Sequence, residues 1–83
     1  AQVALLNGRR VELTAQEMAL LLALMNQPDT PVSREQLLRE AWGYQSMGET
    51  RTVDVHVQRL RKKMGWENQL VAVYKVGYRL EIA

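Results

Sequence analysis

The fourteen residues Arg51-Thr52-Val53-Asp54-Val55-His56-Val57-Gln58-Arg59-Leu60-Arg61-Lys62-Lys63-Met64 restrict the fold more than any other part of the chain. At roughly 100° per residue, Val53, Val57, Leu60 and Met64 fall on one line, the spacing by which a helix rests on a core. Opposite them fall Arg51, Thr52, Val55, Gln58, Arg59 and Lys62, with His56 and Lys63 on one shoulder and Asp54 and Arg61 on the other. The outward set holds guanidinium forks that suit guanine, an amide that suits adenine, a methyl-bearing contact for thymine and ammonium groups for phosphate. A cationic helix face taken alone is more often a solvated surface, so the weight falls on how charge is distributed along the whole chain.

The formal net charge of +2 conceals a segregation. Residues 1–50 carry four cations against six anions, and residues 51–79 carry seven cations against only Asp54 and Glu67. A positive potential confined to one part of a small domain steers it toward a polyanion, whereas an even mixture only keeps it soluble.

With 83 residues, 47% of them hydrophobic and 24% charged, the chain reads as one globular domain over 1–83. The absence of cysteine excludes disulfides and thiolate metal sites and fits a reducing compartment. The longest apolar run, Met18 to Met25, falls short of the roughly 18 residues of a bilayer span, and Ala1-Gln2-Val3 does not open a signal peptide. A cytoplasmic protein without membrane contact is expected.

Along the chain, Asn7-Gly8 between Val3-Ala4-Leu5-Leu6 and Arg10-Val11-Glu12-Leu13 predicts a short hairpin. Thr14 with Glu17 predicts a capping box, followed by a helix whose inward stripe is Met18, Leu21, Leu22 and Met25, broadened by Leu20 and Leu24. Pro28 to Val32 reads as a turn leading into one extended pair. Ser33 then caps a second helix, with Gln36 in the reciprocal position and Leu37, Leu38 and Ala41 inward. Residues 43–49 form a long loop, Glu49-Thr50 opens the third helix, and Gly65 closes it in a left-handed angle. Residues 70–73 and 77–82 read as two strands joined through Tyr74-Lys75-Val76. The order is that of an α+β winged helix-turn-helix, with three helices, a short N-terminal β-hairpin and a C-terminal β-hairpin wing. Its recognition helix, about 50–64, enters the major groove, and its wing, about 70–82, lies on backbone or minor groove.

Leu13-Thr14-Ala15-Gln16-Glu17, Val32-Ser33-Arg34-Glu35-Gln36-Leu37-Leu38, Ala41-Trp42-Gly43, Arg51 to Val57, Arg59 to Lys63 and Val76-Gly77-Tyr78-Arg79-Leu80 together resemble the C-terminal effector domain of OmpR/PhoB-type response regulators, nearly end to end. The resemblance implies a transcription factor of a two-component phosphorelay. Its separate receiver domain is phosphorylated by a histidine kinase, and it pairs as a homodimer on tandem direct-repeat half-sites of double-stranded DNA. It further implies base or near-base contacts from Arg59 and Thr52, and apolar contact of Val55 with a thymine methyl. Backbone or edge contacts fall to Arg51, His56, Gln58 and Arg61, phosphate anchoring to Arg34 and Trp42, and contact with RNA polymerase to the loop at 43–49. Lys62 joins the set from the helix face, and Tyr74, Lys75 and Tyr78 from the wing. A second reading of Trp42 is that it closes the core end of the second helix.

Four departures from the family pattern stand out. Gln58 replaces a frequent Arg, and Tyr74-Lys75 replace the usual Arg-Gly of the wing, which removes a minor-groove arginine and leaves Lys75 to phosphate. Ala72 replaces a hydroxyl residue. The family's four-stranded N-terminal sheet is represented here by what read as its last two strands.

An enzyme is not expected: one histidine, no cysteine, no paired carboxylates on a common face and no glycine-rich phosphate loop leave nothing from which to build a catalytic, cofactor or metal site. His56 lacks an Asp, Glu or Cys partner at ligand spacing, so a hydrogen bond to phosphate suits it better than a metal. The competing reading is a winged helix that binds protein and has no DNA role, since one fold serves both purposes. That version requires apolar or mixed-sign residues on the outward face of the third helix.

Overall fold

The computed structural model describes residues 2–6, 8–43 and 49–82. β1 (Gln2–Leu6) and β2 (Arg9–Leu13) pair antiparallel from Gln2↔Leu13 to Leu6↔Arg9, and Gly8 takes the positive φ of +80° that the tight turn needs. Asn7 and the loop residues Tyr44 to Gly48 lie outside the described residues.

α1 (Ala15–Met25) begins with the expected capping box: Thr14 Oγ1 accepts from the Glu17 amide at 3.1 Å, and Glu17 Oε1 accepts from the Thr14 amide at 2.9 Å. Its buried side differs from the expected stripe. Leu20, Leu21, Ala23 and Leu24 are inside, whereas Leu22 and Met25 are 55% and 50% exposed. Nearly every position from Met18 onward is apolar, so periodicity cannot select a rotational phase, and tertiary partners do so instead.

One of those partners is polar. Glu17 is only 1% exposed, and Lys63 Nζ, on α3 (Arg51–Met64), donates to its Oε1 at 2.6 Å. Burial pushes the Glu17 carboxyl up, but the Lys63 ammonium and the Thr14 amide outweigh it, so the group titrates below its ordinary range. A depressed folded-state pKa means stability that is present above the unfolded-state value and lost as pH falls through the folded one. Lys63→Met is therefore expected to lower Tm at neutral pH, with the deficit closing as acid protonates Glu17. Melting curves followed by circular dichroism across that range check it, and a deficit independent of pH would contradict it.

α2 (Arg34–Trp42) starts from β3 (Val32–Ser33), where Ser33 Oγ accepts from the Gln36 amide at 3.1 Å. Leu37 and Leu38 are buried, and Ala41 and Trp42 pack on the core from its margin. α3 follows at Arg51 without a side-chain cap from Thr50. Its first turn is entered through backbone bonds from Thr52 and Val53 to the carbonyls of Glu49 and Thr50. Its end is as expected: Gly65 takes φ +67° and its amide reaches the carbonyls of Arg61 and Lys62.

β4 (Leu70–Val73) and β5 (Gly77–Leu80) form the wing, in register from Leu70↔Leu80 to Val73↔Gly77. The extended pair before α2 proves to be a third strand on this sheet, since β3 pairs with the other edge of β5 through Val32↔Tyr78 and Ser33↔Gly77. β5 is thus central in the order β3-β5-β4. Asp29, at φ +59°, secures the preceding turn: its amide reaches the Leu80 carbonyl, and its Oδ1 accepts from the Ile82 amide. Gly77 has no Cβ because there is no space for one; it would stand 2.0 Å from the Val32 carbonyl oxygen. The whole is a winged helix-turn-helix, with a core of Leu20, Leu24, Leu37, Leu38, Val53, Val57, Leu60, Leu70 and Leu80 under α3.

Candidate nucleic-acid interface

α3 sits on this core along the expected edge: Val53, Val57 and Leu60 are 0% exposed and Met64 is 4%. With that edge fixed, the remaining side chains are oriented by geometry alone. Arg51, Val55, Gln58, Arg59 and Lys62 are exposed, and Thr52, His56, Asp54 and Arg61 occupy the shoulders, half-buried. Asp54 in the first turn and Arg61, Lys62 and Lys63 in the last complement the helix dipole, so the cationic end of α3 is also its favoured end for cations.

The cations on and around α3 and the wing divide into two groups. Arg34 Nε bonds Asp54 Oδ1 at 2.8 Å, Lys63 is held by Glu17, and Arg79 by Glu81 at 2.6 Å. Arg61 is occupied by the wing, its Nε donating to the Leu70 carbonyl at 2.8 Å and its Nη1 to Gln58 Oε1 at 3.0 Å. Arg51, Arg59, Lys62 and Lys75 have no ion-pair partner among the described residues. These four are the unpaired cations of α3 and the wing, and Arg34 keeps its terminal Nη fork clear of its ion pair.

The uncharged members are set by the same contacts. Because Gln58 Oε1 accepts from Arg61, only the amide N–H groups of Gln58 remain outward, whereas adenine needs both a donor and an acceptor. His56 Nδ1 lies 2.9 Å from the Thr52 carbonyl and must donate to it, leaving Nε2 as the ring nitrogen open to a ligand. The His56 ring meets Trp42 edge to face, with centroids 4.8 Å apart. The end of α2 is thereby fixed to the shoulder of the recognition helix.

On the wing, Tyr74 is 86% exposed at the tip, and Lys75 Nζ stands 5.5 Å from the centre of its ring. Lys75 takes φ +62°, a left-handed conformation that costs a side-chain-bearing residue roughly 1–2 kcal/mol. Tyr78 lies inside, 3% exposed, and its hydroxyl donates to Asp54 Oδ1 at 2.6 Å; that proton is not available to a phosphate. Arg34 lies over the Tyr78 ring at 5.1 Å. Burial pushes the Asp54 carboxyl up, but the Tyr78 hydroxyl and the Arg34 guanidinium outweigh it and hold it below its ordinary range. Asp54 was not among the residues expected at the interface. The signal that could have found it is its isolation, as the one acid in an otherwise cationic helix.

No helix of the described residues is long and apolar enough to cross a membrane, and among them no group of three or more His, Cys, Asp or Glu is placed to hold a metal ion.

Residues 8–80 match the family described as transcriptional regulatory protein, C terminal. The transcriptional regulatory protein YclJ of Bacillus subtilis is 51% identical over 80 residues, a match covering 93% of this chain and 35% of that protein. Two solved structures are similar throughout. The DNA-binding domain of the response regulator AdeR, in complex with an intercistronic region, superposes with a TM-score of 0.85 at 30% identity, covering 98% of this chain and 86% of that one. The Klebsiella pneumoniae RstA DNA-binding domain, in complex with the RstA box, superposes with a TM-score of 0.81 at 28% identity, covering 95% and 82%. The chain spans about a third of the length of the relatives it matches.

Proposed function

The chain belongs to the family of C-terminal effector domains of OmpR/PhoB-type transcriptional regulators, and from that premise we propose that it binds double-stranded DNA sequence-specifically to regulate transcription. The observation that carries this reading is the outward face of α3, where Arg51, Arg59 and Lys62 stand without ion-pair partners among the described residues, on a helix whose other edge is buried. α3 lies in the major groove, with Arg59 and Thr52 at base edges and Val55, 46% exposed, against a thymine methyl. Gln58 donates to guanine, to phosphate or to adenine N7, but does not read adenine bidentately, because its carbonyl is already engaged. His56 Nε2 reaches the backbone and donates there when the ring is protonated. Trp42 flanks it, and Arg51, Lys62, Lys75 and the fork of Arg34 face phosphates. Arg61 and Tyr78 act from behind, holding α3 against the wing.

The relatives' greater length supports the wider reading, in which a receiver domain phosphorylated by a histidine kinase controls pairing of two effector domains on tandem direct repeats in the cytoplasm. Contact with RNA polymerase would fall on the loop at 43–49, of which 44–48 lie outside the described residues.

Salt titration tests the reading. With phosphates facing Arg34, Arg51, Lys62 and Lys75, log affinity for duplex should fall against log salt with a slope of roughly −3 to −4. Fluorescence anisotropy with a labelled duplex measures it. Binding indifferent to salt would favour a protein-binding module instead.

A further inference from the structure

The elements proposed to face the duplex meet at one atom. Oδ1 of Asp54, in the first turn of α3, accepts from Arg34 Nε at 2.8 Å and from the Tyr78 hydroxyl at 2.6 Å. Arg34 opens α2 and Tyr78 stands in β5, so this oxygen ties the recognition helix to the helix before it and to the wing. A carboxylate on this side of the molecule opposes binding by direct repulsion of phosphate. What it does to Arg34 acts the other way.

Asp54 holds the guanidinium by Nε, so the terminal Nη fork stays clear of the ion pair. The Tyr78 ring, 5.1 Å from Cζ, supports the guanidinium from below. A side chain held at Nε and laid on a ring has lost most of its rotamer freedom before any ligand arrives, and its planar fork suits two phosphate oxygens. We propose that Asp54 is a positioning residue for DNA binding, which presets the Arg34 fork as a phosphate receptor and fixes the recognition helix relative to the wing. This rests on the DNA-binding reading above.

Repulsion and positioning predict opposite signs. If Asp54 acts only through its charge, Asp54→Asn binds duplex more tightly and with a steeper salt slope. If it positions Arg34, the same substitution weakens binding about threefold to tenfold, the gain expected from one preordered side chain. The salt slope then becomes shallower by roughly 0.9, one phosphate contact. The probe is a fluorescein-labelled random-sequence duplex, since a phosphate contact does not depend on sequence. In an Arg34→Ala background, Asp54→Asn should produce no further loss. The Arg34 Nε–H resonance of the free protein should be resolved and slow to exchange in the wild type, and not in Asp54→Asn.

Binding unchanged or tightened in Asp54→Asn overturns the proposal, as does an equal loss with and without Arg34. If Asp54→Asn does not fold, Tyr78→Phe removes the support of Oδ1 while keeping the ring and the charge, and a loss of affinity that again requires Arg34 is expected. Wild-type protein without affinity for duplex would sink the DNA-binding reading itself, a result distinct from an Asp54→Asn variant that binds as well as its parent.

Discussion

Arg59→Ala should weaken binding to a selected duplex by about tenfold to a hundredfold and relax preference at a single base pair, the effect of losing one bidentate base contact of about 1–3 kcal/mol. Arg59 is exposed on the outward face of α3 and has no ion-pair partner among the described residues, so its truncation removes nothing that holds the fold. Lys75→Ala is the control. At the tip of the wing Lys75 is proposed to meet phosphate, so its loss should weaken all sequences alike and leave the selected site unchanged. Site selection from random duplexes, run on both variants, separates the roles. If Arg59→Ala lost affinity equally for every sequence, its assignment as a base reader would be wrong.

Gly77→Ala should lower stability by about 3 kcal/mol, near or above the upper end of what overpacking usually costs. In a domain of this size that is a Tm decrease of roughly 10–25 °C. The added Cβ would stand 2.0 Å from the Val32 carbonyl oxygen and 3.0 Å from Ser33 Cα, both backbone atoms of β3. No rotamer change relieves such a clash; β3 must separate from β5. Because Ser33 caps α2 and Arg34 follows it, the start of that helix would loosen with the strand, and affinity for DNA should fall as well. A melting temperature within a few degrees of the parent would show that β3 is dispensable.

These two positions also mark what the sequence makes legible. The face of α3 can be read because four apolar residues stand at helical spacing among polar ones, which fixes the phase, and the buried edge between Thr50 and Gly65 is the one expected, although Thr52, expected outward, is half-buried. α1 fails the same test for the opposite reason: Met18 to Met25 is almost uniformly apolar, and the buried side is chosen by neighbours such as Lys63, 46 positions away from Glu17. β3, two residues long, has no periodicity to detect and exists only because β5 offers an edge. Among the site residues, exposure could be read from the helical wheel, but the engagements of Arg34, Arg61 and Tyr78 could not. Their partners lie 20, 9 and 24 positions away, and contacts of that range follow from the fold.

Apart from the Asp54–Arg34 pair on the shoulder, the restraints that seat α3 lie opposite its outward side chains. Leu60, Val57 and the pairs to Glu17 and Arg34 keep the helix seated, while Arg51, Val55, Arg59 and Lys62 face away from these restraints. Exchanges at such outward sites usually alter stability by no more than about 0.5 kcal/mol. After gene duplication, a scaffold partitioned in this way can drift toward a new operator one side chain at a time without passing through an unfolded ancestor. Its evolvability is a property of the seat as much as of the probe.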